Sequence, residues 1–147
     1  MKKLISLFVL FCSLNSVASI AGQWTGFGTW KFQNKGEGAR CMPMTMTWSE
    51  NKNTLNLEQG YFDCEMVGLD LGSSIWTKKG DVLFDENNNE IGTYNGTQLN
   101  VIIPSPNEKT KISVSIKREA NHIDYEEIWF NEFEKVYIIT GRLFTSK

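Results

Sequence analysis

A chain of 147 residues, 41% of them hydrophobic, holds apolar material for one core and too little length for two independent domains. Its formal net charge is −2, and no run of Lys and Arg concentrates the positive charge. The electrostatic term that draws proteins to phosphate backbones is therefore missing, which excludes nucleic acid as a partner.

Met1-Lys2-Lys3 places two positive charges ahead of the apolar run Leu4 to Phe11, and small and polar residues follow as far as Ala21. That is the layout of a secretory signal peptide, and the run is well short of the roughly 20 apolar residues that span a bilayer. Small residues at −3 and −1 permit cleavage after Ala18, with Ser16 behind it, or after Ala21, with Ser19. Residues 1–21 are taken as the leader and 22–147 as a single β-barrel domain. Cys12 leaves with the leader, since bulky Leu10 and Phe11 precede it where a lipoprotein site needs small residues. The remainder is expected to be periplasmic or secreted, with no integral membrane segment. It carries 13 basic against 17 acidic residues once Lys2 and Lys3 are gone. Cys41 and Cys64 enter an oxidising compartment, where a disulfide is the default.

After the leader, period-two alternation dominates and no long helical stripe occurs. Trp24, Gly26, Gly28, Trp30 and Phe32 share one face of the first strand, opposite Thr25, Thr29 and Lys31. Next, Met42, Met44, Met46 and Trp48 share a face, with Pro43, Thr45 and Thr47 behind them. Further along, Ile112, Val114 and Ile116 alternate with Ser113, Ser115 and Lys117; near the end, Val136, Ile138, Arg142 and Phe144 share a face. Turn signals separate such runs: Lys35-Gly36, Asn51 to Asn53, Lys79-Gly80, Asn87 to Asn89, Asn95-Gly96, Ala120-Asn121 and Asn131 to Glu134. Asn95-Gly96 is expected as the central pair of a type I′ turn. About ten short strands so spaced predict an all-β chain, a single antiparallel up-and-down barrel of about eight to ten strands, because closure removes sheet edges.

Two registers follow from the turns. A hairpin centred between Lys52 and Asn53 sets Trp48 opposite Leu57, Met46 opposite Gln59, Met44 opposite Tyr61, and Cys41 opposite Cys64. Opposed Cβ atoms in an antiparallel pair lie about 4.5–5.5 Å apart, which suits a cross-strand disulfide, expected on the outer face. Pro43 cannot donate to a ladder, so a bulge or lost pairing is expected there. A turn at Ala120-Asn121 sets Ile116 opposite Tyr125, Ile112 opposite Trp129, Lys117 opposite Asp124, and Glu127 opposite Val114. Glu127 is thereby expected as an inward charge, and Arg142 as a second one from the face it shares with Val136, Ile138 and Phe144.

Gly22-Gln23-Trp24, a G-x-W opening the first strand, resembles the lipocalin and fatty-acid-binding barrels grouped as calycins. The longer Gly22-x-Trp24-x-Gly26-x-Gly28 resembles the opening of nitrobindin-like haem-binding barrels. The resemblance implies a lipocalin-like barrel around an apolar molecule, its floor closed by Trp24 against a basic side chain for which Arg142 is the candidate. The nitrobindin version implies haem held by a histidine. The one histidine, His122, has the opposite parity from Ile123, Tyr125 and Trp129, so it reads as an outward residue and no cofactor is assigned.

Chemistry is sparse. No serine sits in a nucleophile elbow, and the adjacent Glu126 and Glu127 point to opposite faces of a strand. No metal site is expected. The chain therefore reads as a non-enzymatic exported barrel holding a small, mainly apolar ligand. Trp30, Met44, Met46, Trp48, Tyr61, Tyr125 and Trp129 are the expected lining, with Glu127 or Arg142 as polar anchor. The other class is a protein-binding barrel, such as a hydrolase inhibitor, with a solid core and functional loops. Interior volume separates the two, a ligand barrel being expected to leave roughly 300 Å³ or more.

Overall fold

The computed structural model describes residues 18–32, 38–105, 109–132 and 134–146. The leader as far as residue 17, Cys12 included, and the Lys35-Gly36 turn lie outside the described residues. Eleven strands follow one another in the described chain: β1 Gly22–Phe32, β2 Ala39–Glu50, β3 Thr54–Cys64, β4 Val67–Asp70, β5 Ser74–Lys79, β6 Val82–Phe84, β7 Glu90–Tyr94, β8 Gln98–Pro104, β9 Lys111–Arg118, β10 His122–Phe130 and β11 Lys135–Thr145. All described pairings are antiparallel, and β1 pairs with both β2 and β11, which closes the sheet. β5 pairs with the first half of β3 and β4 with its second half, so these two short strands share one stave. The result is the closed, ten-staved, up-and-down all-β barrel that the turn spacing predicts.

Closure depends on close approach at β1. A β-carbon on Gly26 would strike the backbone of Arg142 and Leu143, and one on Gly28 would strike that of Thr140 and Gly141 and the Met44 sulfur. Side chains there would hold the first and last staves apart.

The β9–β10 hairpin has the predicted register throughout: Ile116 opposite Tyr125, Ile112 opposite Trp129, Lys117 opposite Asp124 and Val114 opposite Glu127. In β2–β3 the ends match and the middle does not. Trp48 faces Leu57 and Cys41 faces Cys64, but Met46 faces Gly60 and Met44 faces Phe62, because irregularities between Thr47 and Trp48 and between Cys41 and Met44 offset each other. The second lies at Pro43, as its missing N–H leads one to expect. It reverses parity at the end of β2, so Met42 is exposed while Cys41 and Cys64, which are bonded, are buried in the core. The disulfide is therefore internal, not on the outer face.

The Asn95-Gly96 turn is shifted by one position. Asn95 N donates to Gln98 O, which makes Gly96 and Thr97 the central pair, and Gly96 alone takes a positive φ, 96°. The Asn95 side chain braces the loop, accepting from the amides of Thr97 and Gln98 at 3.1 and 2.9 Å. In β11 the inward face carries Tyr137, Ile139 and Leu143, the reverse of the expected parity.

Candidate functional site

One end of the barrel is closed. Trp24 is buried there, its Nε1 donating to Ile20 O at 2.8 Å, and Ile20 is fully buried beside it. Ile20 N reaches Gly96 O at 3.1 Å, which ties the segment before β1 to the β7–β8 turn. The basic partner of Trp24 is Arg118, at the end of β9, whose guanidinium lies 5.1 Å from the indole centroid and donates to Ser19 O. Arg142, the expected partner, is outside. Ile139 and Leu143 fix the inward parity of β11, so Arg142 projects to solvent and donates from Nε to Asp124 Oδ1 at 2.8 Å.

A polar cluster completes this floor. The Glu50 carboxylate accepts from Lys78, from Ser19 Oγ and from Tyr94 Oη, the last at 2.8 Å. Burial works to raise the Glu50 carboxyl, but the hydrogen bonds from Lys78, Ser19 and Tyr94 outweigh it and leave the group below its ordinary value. The Tyr94 phenol is pushed up to about 12, chiefly by burial.

Beyond this floor the barrel interior holds a cavity of about 190 Å³. β2 contributes Met46 and Trp48, β3 Leu57, β5 Trp76, β9 Ile112 and Val114, and β10 Tyr125, Glu127 and Trp129. Asp70, at the end of β4, and Leu71, in the β4–β5 connection, border it. Trp48 and Trp76 stand 5.8 Å apart at a 48° tilt, and Trp129 stacks on Tyr137 at 4.9 Å.

Glu127 is the buried charge of this wall, with 4% of its surface exposed. Its carboxylate accepts from Tyr125 Oη and Trp129 Nε1, one residue pair on either side along the same strand face. Those bonds meet the requirement that a buried polar group be partnered. Burial, and then the Glu127 charge, push the Tyr125 phenol well above its ordinary value, and the Tyr137 phenol moves the same way for the same reasons. The Trp48 indole N–H is buried without a hydrogen-bond partner among the described residues.

Of the expected lining, the structure gathers Met46, Trp48, Tyr125, Glu127 and Trp129 around this cavity. It does not bring the rest. Tyr61 is exposed on the outer face, because the β3 irregularity puts Phe62 inside, where its ring meets Tyr125 edge-on at 5.3 Å. Met44 is buried against Gly28 and Gly141, away from the cavity wall. Trp30 packs against Phe32 and Tyr137 at 5.1 and 5.5 Å instead of lining the cavity. Trp76 and Leu71 were not anticipated; Ile75 beside Trp76 is equally apolar, so alternation gave no direction there, and only the structure shows that Trp76 is the buried one. His122 pairs with Asn121 and Asp124 and packs on Phe144, outside the barrel wall and near its closed end.

No protein-family model matches the chain, and no curated protein matches it in sequence. In structure it is similar to the S-type phycobiliprotein lyase of Guillardia theta, with a TM-score of 0.62 and 8% identity over 87% of this chain and 89% of that one. At such identity the likeness speaks for the fold alone, a closed lipocalin-like up-and-down β-barrel. It also corrects the expectation of a non-enzyme: the matched barrel is a lyase, so the absence of a nucleophile elbow is no argument against chemistry in this architecture.

Proposed function

We propose that the chain is an exported barrel that holds a small, mainly apolar molecule in its interior cavity, with Glu127 as the polar anchor. The observation that carries this reading is the aromatic and aliphatic cavity of about 190 Å³ with a single buried carboxylate in its wall. The volume of about 190 Å³ falls short of the roughly 300 Å³ expected of a ligand barrel, which restricts the reading to small occupants, since apolar cavities of about 150 Å³ already take up benzene. The fitting ligand is thus of one-ring size; a fatty acid, a retinoid or haem exceeds it.

Export is supported by the leader-like sequence and the Cys41–Cys64 bond. Of the two cleavage points, the one after Ala18 is favoured by the packing of Ser19 and Ile20 into the floor, since cleavage after Ala21 would remove both.

The test of the ligand reading is titration of toluene, cyclohexanol, benzylamine and benzoate, recorded by tryptophan emission and melting temperature, repeated in Met46→Trp. At least one compound is expected to shift both signals in the parent and neither in the filled variant. Silence throughout, with Met46→Trp costing the 1–3 kcal/mol typical of about one overpacked side chain, would transfer the function to the outer surface and loops.

A further inference from the structure

We infer that the ligand class is a small organic cation, a protonated or quaternary amine on a single ring or short alkyl group; this rests on the reading of the cavity as a ligand site. The only charged side chains bordering the cavity among the described residues are Asp70 and Glu127, and both are acidic. None of the ion pairs among the described residues involves Glu127. Its two hydrogen-bond donors, Tyr125 and Trp129, are neutral groups, so its charge has polar partners and no counter-charge. A carboxylate so deeply buried is costly without a cation beside it, and each of its oxygens keeps a further lone pair to offer.

The walls suit the same occupant. Trp48, Trp76, Tyr125 and Trp129 surround the space, and ring faces attract ammonium groups within about 6 Å of their centroids, most strongly where water is excluded. A carboxylate ligand would meet Glu127 and Asp70 with like charge. A neutral ligand would fill the volume and leave Glu127 without a counter-charge. An ammonium on a one-ring body satisfies the charge, the rings and the volume together.

The experiment compares three one-ring probes, the cation phenethylammonium, its neutral isostere 2-phenylethanol and the somewhat larger anion 3-phenylpropionate, on the wild-type protein and on Glu127→Gln, which keeps the size of the side chain and removes its charge. Binding is read by tryptophan emission. Phenethylammonium is expected to bind about tenfold or more tightly than 2-phenylethanol, with 3-phenylpropionate weakest, and Glu127→Gln is expected to erase the advantage of the cation while leaving the alcohol unchanged. Equal binding of cation and alcohol to wild type would overturn the cation inference and leave the hollow barrel standing. Failure of all three probes, together with toluene, would overturn the ligand site itself. The wild-type ranking decides the inference even if Glu127→Gln does not fold.

Discussion

Arg118 lies over the indole of Trp24 at 5.1 Å while its guanidinium also binds the carbonyl of Ser19, so one arginine at the end of β9 locks both the first strand and the segment before it. Stacking of this kind contributes about 0.5–2 kcal/mol, depending on burial. In a double-mutant cycle by urea unfolding, Trp24→Phe and Arg118→Ala are expected to couple by that amount. Trp24→Phe and Arg142→Lys are expected to be additive, because Arg142 spends its hydrogen bond on Asp124 outside the barrel.

If the leader is removed after Ala18, the intact mass of protein recovered from the periplasm after expression of the full chain corresponds to a first residue of Ser19. A mass beginning at Gly22 would refute the placement. The accompanying substitution Ile20→Ala is expected to cost about 2–5 kcal/mol, the usual range for truncating a fully buried isoleucine.

Glu50 makes part of the stability depend on acid. Its carboxyl is held below the ordinary value of 4.5, so the folded state binds that proton less readily than the unfolded chain. The associated stabilisation is complete above 4.5 and is lost as pH falls through the lowered folded value. Melting temperature measured downward from neutral pH should therefore drop more steeply in wild type than in Glu50→Gln. Parallel curves would show that the cluster with Lys78, Ser19 and Tyr94 does not stabilise the ionised form.

The internal disulfide joins positions 23 apart in sequence. Its replacement in Cys41→Ala/Cys64→Ala is expected to lower stability by about 3 kcal/mol from the loop-closure contribution alone, measured by urea unfolding, with a steeper slope because the denatured chain without its cross-link exposes more surface. Binding of toluene should persist in that variant, since neither cysteine lines the cavity.

The β9–β10 hairpin was legible residue by residue because a tight turn at Ala120-Asn121 admits one register, and Ile112, Val114 and Ile116 alternate with polar residues without interruption. Tyr125, Glu127 and Trp129 could be placed inside for that reason, and Met46 and Trp48 by the alternation along β2. Tyr61 and Met42 could not: two local irregularities, at Pro43 and in the middle of β3, each reverse the parity of the residues beyond them, and only the first has a sequence signal. β11 misled for a different reason. Its outward residues Val136, Ile138 and Phe144 are as apolar as its inward Tyr137, Ile139 and Leu143, so alternation carries no direction there.

Local chemistry by itself determined that this chain forms an antiparallel barrel, since turn residues and period-two alternation act over a few neighbours and impose a series of strands joined by short turns. Which arginine seals the floor, which aromatic side chains meet around Glu127, and whether Ser19 and Ile20 belong to the folded body were decided only by the tertiary structure. Each depends on the side to which a strand turns after a bulge, and on contacts between residues about a hundred positions apart, such as Arg118 with Ser19, that only closure of the barrel brings together.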